Sequence, residues 1–432
     1  MPWLLVCVPA GLSGAELHVG PGFAWDDPAA AVAAARPGDV VVVHPRPGNA
    51  PYRGVALRVR QPGLVLRGVA GPGLHIPLSG ADARLSGEGP HPRAVVQFDP
   101  GADGALLEGF CLQDARNSDG NAAGVRVTGA REVVIRDCVI RDNDMGIMSD
   151  GGGVSDGARG LRIERCVITG NGSERNAGYS HNLYLGGEEA VVIGCRISHA
   201  RTGHNLKSRA HRTLVLGCGL FEAAERELDL VDAAGWTTRE GSDAWIAGCV
   251  IVKARNTAGN RGVIHFGRDG GHDRTGQLRL VYCTIVTPYA APVVLLSSPG
   301  ASAWLEGNVF GDAGAFVGAR RLGMAQGGAL EGALRGRNNW VAADYAALLP
   351  PGLSGTCTGG PGQTHAWRDP DRWDYRPARP VPGITDSGDE CAGALAVVDG
   401  LHLVEFVPPV GWRLRPCDGR LDLGAFEMSI EP

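Results

Sequence analysis

Residues 181–232 hold the densest set of groups able to move protons or bind charge. His181-Asn182-Leu183-Tyr184 is followed by His204-Asn205-Leu206-Lys207-Ser208-Arg209, and then by Leu228-Asp229-Leu230-Val231-Asp232. Asn182 and Asn205 lie 23 residues apart, and Asn205 and Asp229 lie 24 apart. A recurrence this regular stacks like positions on successive units of a repeat. Alternate side chains of a strand face opposite ways. Aligning Leu183, Leu206 and Leu230 as core positions sends Asn182, Asn205 and Asp229 outward in one column. Tyr184, Lys207 and Val231 then form the next, with Arg209 beyond Lys207 on the same parity. His181 and His204 share the parity of the leucines, and turn geometry leaves their direction open. In Val263-Ile264-His265-Phe266-Gly267-Arg268-Asp269, His265 and Arg268 extend the same face by one unit.

This patch suits β-elimination in an acidic polysaccharide, which must neutralise a uronate carboxylate, remove the C5 proton and protonate the leaving oxygen. Lys207 is the candidate base and Tyr184 the candidate acid, with His181 and His204 as further proton-transfer groups. Arg209 offsets the charge of the enolate-like intermediate. Asn182, Asn205 and Asp229 offer the oxygen ligands that Ca²⁺ prefers. Alternatively the two amides hold sugar hydroxyls, together with Asp232, His265 and Arg268. A structural reading competes at each position: repeated asparagines can form amide ladders, the histidines can be turn residues, and Lys207 and Arg209 can be solvated charges. Asp229 and Asp232 are the only candidates for the acid pair of a glycoside hydrolase. No Walker loop is present.

The elements that must carry these groups are short strands. Earlier copies of the phrase are Gly124-Val125-Arg126-Val127 and Gly146-Ile147-Met148-Ser149, whose outward positions are bland. A second phrase, alternating apolar residues and then Cys-x-Ile or Cys-x-Leu, recurs around Cys138, Cys166, Cys195, Cys218, Cys249 and Cys283, with Asn308 in the cysteine place of the next copy. The cysteine intervals are 28, 29, 23, 31 and 34, so the bare unit is close to 23 residues and longer units carry loops. Such alternation predicts strands, not helices. Two or three short strands per unit with glycine-rich turns predict a parallel β-helix. Gly is 66 of 432 residues, about twice the usual ~7%. The six repeated cysteines form an interior column of small groups. Cys357, Cys391 and Cys417 fall outside it, and a disulfide among them stays open. No CxxC pair suggests structural zinc.

Around the repeat, Ala29 to Arg36 reads as a short helix covering the open end of the first coil. Leu57 to Arg67 and Ala94 to Phe98 are the first coils. The coils proper run to about Phe316, with loops at Asp150 to Gly160 and Ala233 to Asp243. The helix with its N-terminal cap spans 16–320. Residues 321–432 supply weaker final coils, outer loops from Pro350 to Pro382, and a closing strand at Leu421-Asp422-Leu423-Gly424-Ala425-Phe426-Glu427. Residues 1–15 read as part of a secretory signal, which makes the protein secreted or periplasmic; the alternative is a buried first strand. The net charge of −5 with interspersed signs excludes the basic stripe of a nucleic-acid binder. No apolar run reaches membrane-spanning length, and the expected state is a monomer.

With the helix cap, the coil phrases and the Asp-Leu-Gly-Ala-Phe-Glu ending, the chain resembles bacterial right-handed parallel β-helix proteins of the pectate-lyase-like superfamily over residues 16–427. That resemblance implies a polysaccharide lyase, hydrolase, epimerase or glycan-binding protein. Chondroitinase-B-like and alginate-lyase relatives are similar in placing Lys and Arg beside a calcium site on this face, which maps to Lys207, Arg209 and the Asn182, Asn205, Asp229 column. Those relatives carry more carboxylates at the metal. The polygalacturonase phrases are missing. The reading is therefore a lyase acting on an acidic polysaccharide bound along the flank, with a non-catalytic glycan binder, a uronate C5-epimerase or a glycoside hydrolase as rivals.

Overall fold

The computed structural model describes residues 14–149, 157–257, 259–312, 319–326, 330–359, 367–391, 396–398 and 400–428. The expected leader up to Ser13 and most of the loop after Asp150 lie outside the described residues. The chain winds as a right-handed parallel β-helix with three long sheets of 13, 11 and 10 strands. Through the middle of the molecule, every third strand returns to the same sheet. The coil beginning at Glu189–Ile193 in the 13-stranded sheet continues through Arg196–Ser198 in the 11-stranded sheet. It passes through Leu206–Ser208 in the 10-stranded sheet and returns at Arg212–Leu216, 23 residues on. This is the bare unit expected from the cysteine spacing.

The corner between the first two sheets is a single residue in the left-handed region, at φ 51° in Asp137, 46° in Arg165, 62° in Gly194, 53° in Gly217 and 62° in Gly248. Each is followed by a column cysteine. These thiols are buried, and they also take part in hydrogen bonding. The backbone N–H groups of Cys166, Cys195 and Cys218 each donate to the next cysteine's Sγ at 3.4 Å. Asn308 takes over the role, accepting from the Cys283 N–H at 2.9 Å and handing on to Asn339. The Cys-to-Asn switch in the repeat thus preserves an acceptor, and the column is a ladder as well as apolar filling.

A second ladder runs through a different corner. Asn143 Nδ2 donates to Asn171 Oδ1, Asn171 Nδ2 to Asn182 Oδ1, and Asn182 Nδ2 to Asn205 Oδ1, at 3.0, 2.8 and 2.8 Å. Asn205 Nδ2 donates to Glu227 Oε2 at 2.5 Å, which ends the row. All five residues are fully buried. Buried amides need partners, and neighbouring coils supply them.

The predicted cap forms as a helix at Pro28–Ala34, with Asp27 accepting from the Ala29 N–H and Pro28 at its first position. Ala31 and Val32 bury against the first coils. At the other end the sequence expectation needs correction. Leu421 to Glu427 is buried but forms no strand. Gly424 N–H donates to the Gly307 carbonyl and Ala425 N–H to Thr284 Oγ1, so this stretch lies across the flank of earlier coils. Buried Arg415 holds it there through the carbonyls of Asp422, Gly424 and Phe426. A disulfide joins Cys391 to Cys417, and Cys357 is exposed. Among the described residues no helix is long and apolar enough to cross a membrane.

Asn182→Leu keeps the branched shape but strands the Asn171 backbone N–H and takes one partner each from Asn171 Nδ2, Asn205 Oδ1 and the Ser198 carbonyl. Unpaired buried groups of this kind cost roughly 1–3 kcal/mol each. The variant is expected to unfold at a clearly lower urea concentration than the parent, and an unchanged midpoint would contradict the ladder's role.

Candidate functional site

The 10-stranded sheet brings the reactive residues together, in a register shifted from the sequence alignment. Leu183 pairs with Leu206 and Leu206 with Leu228, not Leu230. One outward row therefore reads Arg126, Met148, Tyr184, Lys207, Asp229, His265. Asp229 stands beside Lys207 and not in the asparagine column, and Val231 is not in the row. Leu228 and Leu230 share one parity, so alternation alone cannot choose between them. The partner that ends the asparagine ladder is Glu227, one residue before Leu228, and this selects the observed register.

Lys207 is the centre of a charge cluster. Its Nζ lies 2.7 Å from Asp229 Oδ2 and 2.8 Å from Asp269 Oδ2. Arg209 Nη2 lies 2.7 Å from the same Asp269 oxygen, and Arg209 Nε donates to the Tyr184 hydroxyl at 2.9 Å. Asp229 also meets Arg226 Nη1 at 3.3 Å and His265 Nδ1 at 2.9 Å on Oδ1, and His204 Nε2 at 3.4 Å on Oδ2. Burial opposes ionisation of Asp229, but the His204 and His265 contacts and the Lys207 ammonium outweigh it and hold its carboxyl well below the usual range. Burial likewise works against the Lys207 ammonium, and Asp229 and Asp269 overcome it, so its pKa lies above that of ordinary lysine. Lys207 is thus a held cation, which corrects its expected role as base.

His181 and His204 stack with centroids 5.0 Å apart. The His204 N–H donates to His181 Nδ1 and the Arg226 N–H to His204 Nδ1, both at 3.0 Å. Each Nδ1 is therefore an acceptor, and each neutral ring carries its proton on Nε2. Burial lowers the pKa of His204 to about 4 and pushes that of His181 well below the ordinary value. Neither ring has a free basic nitrogen at neutral pH. They act as hydrogen-bond donors and spacers, not as bases.

Tyr184, Lys207, Arg209, His181 and His204 line an open cleft of about 510 Å³, with Tyr179 exposed at its edge. Several expected ligands do not reach it. Asn182 and Asn205 sit at the bend before their strands, where alternation fails, and their amides are consumed in the ladder. Asp232 is buried and accepts the N–H groups of Asp269, Gly270 and His272, so it builds the loop at 268–272 and does not line the cleft. His265 is buried between Asp229 and Ser297 Oγ and positions Asp229. Arg268 is exposed and pairs with Asp273 outside the cleft lining. The three residues expected to hold Ca²⁺ do not fit it, because two are in the ladder and Asp229 is enclosed by N–H donors. Two members of the charge cluster were given no role in the sequence reading. Arg226 occupies the place of His181 and His204 in the repeat, and correct alignment would have revealed it. Asp269 arrives from 62 residues beyond Lys207; it ends the phrase that carries His265 and shares the parity of His265, but the sequence reading gave it no role.

No protein-family model matches the chain, and no curated protein matches it. Solved structures similar to it include the pectate lyase Pel9A, at 13% identity and a TM-score of 0.46, covering 93% of this chain and 90% of that one. Pectin methylesterase PemA from Erwinia chrysanthemi follows at 11% identity and 0.37, covering 73% and 94%. A mutant of the PL6 family alginate lyase AlyGC matches at 12% and 0.36, covering 84% and 55%. The chain is a parallel β-helix protein. That statement stands on its own three parallel sheets, and likenesses this distant carry no activity across.

The lowered His204 pKa gives a pH dependence with a definite sign. Between pH 6.5 and about 4 the unfolded chain binds a proton at this residue that the folded chain does not, so His204 lowers stability as pH falls through that range. At pH 5 the penalty is about 2 kcal/mol. Melting temperatures at pH 7 and pH 5 should show the parent losing more than His204→Gln over that interval; equal losses would place a charged imidazole in the folded protein.

Proposed function

We propose that the protein is a carbohydrate-active enzyme that cleaves an acidic polysaccharide by β-elimination in the cleft on its 10-stranded sheet. The observation that carries this reading is the contact between Arg209 Nε and the Tyr184 hydroxyl at 2.9 Å, in an open cleft beside a second held cation, Lys207. Of the groups expected to move protons, Tyr184 alone is neither locked as a cation nor blocked at its basic atom.

In this mechanism Lys207 and Arg209 bind the uronate carboxylate and stabilise the charge that spreads onto it when C5 is deprotonated. The Tyr184 phenolate takes the C5 proton. The C4–O bond breaks, a C4–C5 double bond forms, and the proton passes from Tyr184 to the leaving oxygen. Asp229 keeps Lys207 charged and aimed, and His265 keeps Asp229 in place. The Cys391–Cys417 disulfide favours an oxidising compartment, which supports an exported protein meeting its polymer outside the cytoplasm. A glycan-binding protein without chemistry remains the second reading, favoured by the complete pairing of Lys207 with Asp229 and Asp269.

Purified protein should raise the ultraviolet absorbance of unsaturated uronate on at least one of alginate, pectate, chondroitin, dermatan, heparan and polyglucuronate. Tyr184→Phe should lower kcat by roughly 10²-fold or more with little change in KM. Lys207→Gln should raise KM and lower kcat as well, because Lys207 both binds the carboxylate and stabilises its developing charge. Full kcat in Tyr184→Phe would remove the phenol from the mechanism, and retained binding with no absorbance rise on any polymer would favour the binding protein.

A further inference from the structure

We propose that Asp269 is an internal occupant of the carboxylate subsite, which an acidic sugar must displace in order to bind. This rests on the reading that the cleft takes an acidic polysaccharide, and it adds a specificity-determining residue to that site. A single oxygen, Asp269 Oδ2, lies 2.8 Å from Lys207 Nζ and 2.7 Å from Arg209 Nη2. One carboxylate oxygen shared by an ammonium and a guanidinium is the arrangement that a uronate carboxylate would adopt there.

The two carboxylates on Lys207 differ in their freedom to leave. Asp229 is 1% exposed and is fixed by Arg226 and His265 as well. The Asp269 side chain is 41% exposed. Its backbone is anchored, because the Asp232 carboxylate accepts the N–H groups of Asp269, Gly270 and His272. Vacating the subsite therefore needs rotation of one side chain into water and no opening of the loop.

Exchange of one carboxylate for another keeps both cations paired. A neutral sugar or a methyl ester that displaced Asp269 would leave Lys207, 8% exposed, short of a counter-charge. Such ligands gain nothing from displacing it. An acidic ligand binds with an affinity reduced by the fraction of molecules in which Asp269 still holds the subsite. The occupant thus sets a threshold that falls on acidic ligands alone.

The test is isothermal titration calorimetry with saturated oligouronates made by acid hydrolysis of pectate, alginate and polyglucuronate, and with a methyl-esterified pectin oligomer as the neutral control. Asp269→Asn is expected to bind at least one acidic oligomer about tenfold more tightly or better than the parent, with no gain for the ester. Adding Lys207→Gln should abolish the gain. Asp269→Ala should repeat the result, so that misfolding of one variant, checked by circular dichroism, does not decide the matter. Equal or weaker binding in both variants overturns the proposal, as does a gain of the same size for the ester, which would make Asp269 a steric obstacle. Absence of binding by the parent and both variants to every oligomer also overturns it. Unsaturated product from the parent without an affinity gain in the variants would retain the lyase and discard the occupant. An affinity gain without unsaturated product would do the reverse.

Discussion

The buried amide ladder from Asn143 to Glu227 is the constraint on which the site depends. A coil of this helix turns corners inside the protein, where water cannot satisfy the polar groups that the bends expose. Asn143, Asn182 and Asn205 give their amides to the next coil and Asn171 gives its amide to Asn182 within one coil, so the stack is tied through a definite position and not only by apolar contact. Sliding one coil by two residues would keep every leucine inside and still break this chain. The ladder thereby decides which outward side chains become neighbours, and it places Tyr184, Lys207 and Asp229 in one row.

Once the row is set, charge compensation shapes it. Lys207 is nearly buried, and an ammonium there is tolerable only because two carboxylates approach it. Asp229 supplies the permanent counter-charge, and the ring and guanidinium groups around it leave it no freedom. Asp269 supplies the exchangeable one. The histidines below show the same economy: each spends Nδ1 on a backbone N–H of the next coil, which makes them part of the scaffold. The cleft therefore presents a phenol, two held cations and a removable carboxylate.

Much of the architecture was legible before any coordinates. The cysteine phrase, the 23-residue unit and the Asn308 substitution follow from periodicity, because each coil repeats the same inside-outside pattern, and the capping helix follows from its Ala-rich run behind Asp27 and Pro28. The candidate site was legible in part. Tyr184, Lys207 and Arg209 share a face because strand parity alone requires it. Asn182 and Asn205 were misplaced because parity ends at the corner, where the backbone turns their side chains inward. The closing phrase at Leu421 to Glu427 was misread because its apolar pattern reports burial, and burial against a flank looks the same as burial at an end.

Local chemistry along the chain thus settles which residues are inside, which outside, and how long a coil is, since these depend on side-chain type and a period of two. It cannot settle register between coils, because Leu228 and Leu230 satisfy that period equally well. Nor can it tell that a loop carboxylate 62 residues away from Lys207 will sit on its ammonium. Those outcomes depend on hydrogen bonds and ion pairs between coils, whose partners come together only after the helix has wound.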